Sequence, residues 1–144
     1  MNKKILIIFT SFFLSLFISE SSEAKKLYDE EGKKLFSSKK YKEAKFYFEK
    51  DIVFNPKNEI SYLYLAKIFK EEKKYDLEEN NLNTVLLLNH KNEEAIYLLT
   101  LLNINKSNFS KAKELISTLT SVCNKMCSAK IELQEKLINS QRTQ

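Results

Sequence analysis

The chain has 144 residues, of which 43% are hydrophobic and 30% charged, with one Gly, one Pro and no Trp. So little Gly and Pro argues against strand-rich folds and Gly-rich phosphate loops, and for helices joined by short polar turns. The net charge of +5 permits contact with anionic surfaces. However, lysines alternate with glutamates, as in KEAKFYFEKD and KIFKEEKKYDLEE, which marks solvated helix faces rather than a nucleic-acid footprint.

In chain order the first element is an address. Lys3 and Lys4 precede an apolar run, Ile5 to Ile18, of 14 residues, and a small-x-small triplet, Ser22-Glu23-Ala24, follows. That layout predicts a secretory signal peptide over 1–24, cleaved after Ala24. The run is shorter than the roughly 20 residues of a membrane span. The alternative is an uncleaved anchor in the inner membrane, the one route to membrane contact. Either way the rest of the chain is expected to be exported, periplasmic or secreted. The Lys, Asn and Ile bias fits an AT-rich bacterial genome.

The next elements repeat. Three frames, 25–58, 59–92 and 93–126, align without gaps at a period of 34. Position 4 holds Tyr28, Tyr62 and Ile96; position 17 holds Tyr41, Tyr75 and Phe109; position 24 holds Phe48, Leu82 and Ile116. Each frame splits into two amphipathic stretches joined by turns such as SSKK, EEKK and NKSN, a helical hairpin per frame. A hairpin cannot bury both its faces alone, so about three with a cap make a stable unit. Residues 127–144 supply the cap: Ile131, Leu133, Leu137 and Ile138 form a narrow apolar stripe, and a short tail follows. The fold class is therefore all-α, with seven helices.

These residues resemble the tetratricopeptide repeat. Its pattern is matched by Tyr28, Gly32, Tyr41, Ala44, Phe48 and Pro56, by Tyr62, Leu65, Ala66, Phe69 and Tyr75, and by Leu99, Phe109 and Ala112. Glu78 departs from it, because position 20 wants a small residue where the paired helices approach. The resemblance implies an α-solenoid whose first helices line a concave groove. Carried over by position, the groove residues include Lys33 and Phe36, then Leu63, Lys67 and Lys70, then Tyr97, Leu101 and Ile104. The resemblance further implies a non-catalytic module that binds a protein or peptide. The alternative is an assembly subunit of an envelope complex that binds through its outer face or ends. Chaperone-tail domains of this family clamp a terminal carboxylate. Here Asp29, Lys33, Tyr64, Glu94 and Leu98 stand at the clamp positions, so that mode is not expected.

Little else carries chemistry. His90 is the one histidine and falls in a turn, so neither a catalytic triad nor a zinc site has its parts. No cofactor or metal is expected, and the glutamates read as outer-face residues among lysines. Cys123 and Cys127 are the only cysteines. An even count in an exported chain favours a disulfide, and residues four apart can reach the required Cα separation of about 4.4–6.8 Å. The alternative is two separate thiols.

Overall fold

A computed structural model describes residues 20–142. The expected signal segment therefore lies mostly outside the described residues. The first helix begins at Glu20, so it runs through the expected cleavage point. The helices are α1 (Glu20–Ser37), α2 (Tyr41–Phe54), α3 (Glu59–Glu71), α4 (Tyr75–Leu88), α5 (Glu93–Asn105), α6 (Phe109–Val122) and α7 (Ala129–Arg142). They form three hairpins and a last single helix, with no strand among the described residues.

The turns inside the hairpins repeat in detail. Lys39, Lys73 and Ser107 share position 15 of their frames and adopt φ of 58°, 56° and 58°. In each, the following amide donates five residues back: Lys40 to Leu35, Lys74 to Phe69, and Asn108 to Asn103. The αL residue itself donates three residues back, to Phe36, Lys70 and Ile104 respectively. This paired bonding satisfies the carbonyls that a helix end leaves open, and it usually falls to glycine. The first helix of the second and of the third frame begins at an asparagine cap: Asn58 accepts from the Ile60 amide, and Asn92 from the Ala95 amide.

The chain divides into two compact units, Met1–Pro56 and Lys57–Gln144. In the first, α1 and α2 pack as a hairpin around Gly32, Ala44 and Phe48, all buried. Tyr28 stacks on Phe54 with ring centroids 5.7 Å apart, and the Lys50 ammonium sits 4.4 Å over the Tyr28 ring.

The second unit has a continuous core drawn from α3 to α7, including Ala66, Leu82, Ile96, Leu102, Leu119 and Leu133. The α6–α7 connection is held twice. Cys123 and Cys127 are bonded, with Cα atoms 5.1 Å apart. A loop this small gains about 2 kcal/mol in the chain-entropy picture. Beside it, the Glu93 carboxylate accepts the amides of Met126 at 2.6 Å, Asn124 at 2.8 Å and Lys125 at 3.0 Å. Glu59 holds the same frame position and accepts from the side-chain amides of Asn89 and Asn92. Position 1 of both frames thus latches the end of its own repeat.

The Glu93 latch gives the fold an acid sensitivity. Its carboxyl is held below the ordinary value, chiefly by the Met126 amide and then by those of Asn124 and Lys125. A depressed folded value means the contribution is full above the unfolded carboxylate value, roughly 4.3, and is lost as pH falls through the folded one. Thermal melts of the native chain and Glu93→Gln should differ at neutral pH, with the native form more stable. The gap should begin to narrow as pH falls below the unfolded carboxylate value, roughly 4.3, and close once pH passes the depressed folded value; a gap independent of pH would rule out the ionised latch.

Candidate functional site: the inner face of residues 57–144

In the second unit α3, α5 and α7 present one face, and it divides along its length. The part toward the N-termini of α5 and α7 is bridged by its own side chains. Lys67 pairs with Glu94 at 2.6 Å, joining α3 to α5, and lies 4.6 Å over the Tyr64 ring. The Tyr97 hydroxyl donates to Glu132 at 2.9 Å, joining α5 to α7. Burial, then that hydrogen bond, raise the phenol above its usual value. Leu63 is only 6% exposed and belongs to the core. Ile104 lies in the same core at 5% exposure, so burial alone does not separate these two expected groove residues.

The half toward the helix C-termini is open. One cleft of about 360 Å³ runs between α5 and α7, lined by Lys70, Leu101, Ile104, Asn105, Lys136 and Asn139, among others. A second, of about 250 Å³, lies between α3, α4 and α5, where Lys73, Glu78 and Leu102 join Lys70, Leu101 and Asn105. The shared residues make the two clefts neighbours. Leu101 is half-buried and Ile104 buried, so the floor is apolar and the rim carries Lys70, Lys73 and Lys136, all exposed. Of the expected groove residues, Lys70, Leu101 and Ile104 come together here. Lys67 and Tyr97 do not: they close the other half. Lys33 and Phe36 belong to the first unit, where Lys33 pairs with Asp29 at 2.7 Å and the Phe36 ring lies 5.3 Å from that of Tyr41.

Glu78, the departure at position 20 where the paired helices approach, is the described glutamate that breaks the outer-face reading. The glutamates were expected on outer faces, yet Glu78 is 3% exposed and lines the smaller cleft. Burial pushes its carboxyl up, against a lowering pull from the charge of Lys70. The signal was present in its frame position, where repeat three has Ala112 at 0% exposure. A residue there enters the helix–helix contact whatever its polarity. His90 is exposed in its turn, as expected. Among the described residues no group of three or more His, Cys, Asp or Glu side chains is placed to hold a metal ion. No described helix is long and apolar enough to cross a membrane.

No protein-family model matches the sequence, and no curated protein matches it. Solved structures do. The first tetratricopeptide domain of Spaghetti (RPAP3), bound to an HSP90 peptide, is 21% identical with a TM-score of 0.73, covering 82% of this chain and 94% of that one. The fold is that of a tetratricopeptide-repeat domain. The tetratricopeptide domain of Arabidopsis OM64 also matches at 18% identity and a TM-score of 0.73, covering 83% of this chain and 98% of its own. The Yersinia enterocolitica type III secretion chaperone SycD, in complex with a peptide of the translocator YopD, matches at 14% and 0.74, covering 85% and 95%. At such identities the likeness is one of tetratricopeptide fold, and the site must be argued from its own residues.

Proposed function

We propose that this chain is a non-catalytic interaction module. It holds a peptide or helical segment of a partner protein in the open half of the inner face of residues 57–144. The observation that carries this reading is the division of that face. Internal bridges occupy one half, while the other keeps two adjoining clefts with an apolar floor and a lysine rim. Such a surface suits a segment with an apolar anchor and some acidic groups. Two structures of the same fold hold peptides, one from HSP90 and one from the translocator YopD. The residues at hand suit neither nucleic-acid readout nor acid–base chemistry, and the reading invokes no cofactor.

The site of action in this reading is the cell envelope, periplasmic or secreted. Its supports are the signal-like residues 1–24 and the disulfide, which persists in oxidising compartments. A second reading, an assembly subunit that binds through its end, draws on one observation. The face between α6 and α7 holds a cleft of about 830 Å³, and Ile131 and Ile138 lie exposed on α7.

Crosslinking in intact cells separates the two. Lys70→Glu with Leu101→Asp puts charge on the floor and reverses it on the rim; because Leu101 packs against the core, a thermal melt first checks that the variant is folded. Partners that crosslink to the native chain should vanish with this variant, when the attached proteins are identified by mass. Partners that persist unchanged would favour binding through the end.

A further inference from the structure

The smaller cleft holds a feature that the packing of the helices does not require. Glu78 is more than nine-tenths buried and lines the cleft, and its carboxylate shows no side-chain hydrogen bond to the described residues, only the pull of the Lys70 charge. A buried carboxylate without a donor is costly, and an alanine fits the same frame position at Ala112. The groups lining the cleft are of both signs, Lys70 and Lys73 with Glu71 and Glu78, beside Asn105 and the apolar Leu101.

We propose that this cleft is a side-chain pocket for a primary carboxamide, the end group of a glutamine or asparagine in the bound segment. The inference rests on the peptide-binding reading and names one anchor within it. A carboxamide has two N–H donors, which Glu78 lacks, and one carbonyl acceptor, which Lys70 or Asn105 can serve. A carboxylate ligand would meet Glu78 and Glu71 with like charge. An ammonium would meet Lys70 and Lys73. A neutral group that donates at one end and accepts at the other satisfies both sides without bringing a full charge out of water. The cleft, at about 250 Å³, has room for a side chain and not for a helix.

The test is a nuclear magnetic resonance titration of the ¹⁵N-labelled full chain with four probes: propionamide, N,N-dimethylpropionamide, propionate and propylammonium. Propionamide should give saturable shifts at the amides of Glu78, Leu101 and Asn105. Its affinity should exceed that of each other probe by about tenfold, the worth of one hydrogen bond to a charged group. Glu78→Ala should stay folded, by the precedent of Ala112, and lose that preference. Equal or tighter binding of propionate or propylammonium would overturn the proposal. So would the absence of propionamide shifts, or their survival in Glu78→Ala. Peptides that bind and respond to Leu101→Asp without preferring glutamine or asparagine would sink this pocket alone. If no peptide responds to Leu101→Asp, the peptide-binding reading itself falls.

Discussion

Leu82→Ala is expected to destabilise the second unit by about 2–5 kcal/mol, the range for deleting a buried leucine side chain. Leu82 lies at 0% exposure in the core of residues 57–144, where it stands with Ala66, Val85 and Ile96. Removing three carbons there forfeits their transfer from water. It also leaves a space that helices fixed at both ends by turns and latches cannot close. In urea the midpoint should drop while the slope stays unchanged. Leu87 is the control: it sits on the same helix, α4, at 85% exposure. Leu87→Ala should stay within about 0.5 kcal/mol of the native chain. Similar losses at both positions would mean that α4 does not pack as described.

The second expected result concerns the first unit and runs against local propensity. Alanine for Gly32 in the middle of α1 should favour the helix by about 1 kcal/mol. A Cβ at Gly32 would stand 2.8 Å from Cε1, 2.9 Å from Cζ and 3.0 Å from Cδ1 of Phe48. That ring is at 0% exposure, so it has nowhere to retreat. Overpacking of this kind costs about 1–3 kcal/mol. Gly32→Ala is therefore expected to lower the melting temperature. Adding Phe48→Leu, which withdraws the ring, should make the double variant more stable than Gly32→Ala alone. A Gly32→Ala chain that melts at or above the native temperature would show that helix propensity, and not close approach, governs this position.

The sequence carried the fold plainly because the repeat registers physical constraints at fixed intervals. The aromatic column at position 17 and the apolar column at position 24 place side chains in hairpin packing. The asparagine before α3 and before α5 is a cap, readable from Asn58 and Asn92 alone. The hairpin turns were legible as polar runs. Their αL residue was not, because Lys39, Lys73 and Ser107 occupy a conformation that normally announces itself as glycine. The site was legible only in part. Family positions pointed to Lys70, Leu101 and Ile104, which line the open clefts. They also pointed to Lys67 and Tyr97, which bond to Glu94 and Glu132 instead. Position along a helix says which face a residue takes. It does not say whether an opposite charge on the next helix has already taken that residue. The Glu93 latch was hidden for a related reason, since its partners are backbone amides of a loop 31 to 33 residues away.

The central claim is that the open half of the inner face binds a peptide. Its most direct test is the affinity of a peptide selected from a random twelve-residue library on the native full chain, measured by calorimetry. The same peptide is then measured on Leu101→Asp and on Leu87→Asp, the exposed site on α4. Placing a carboxylate on the apolar floor should weaken binding by at least about tenfold, while the α4 change leaves it unaltered. Equal affinity for native chain and Leu101→Asp would contradict the account.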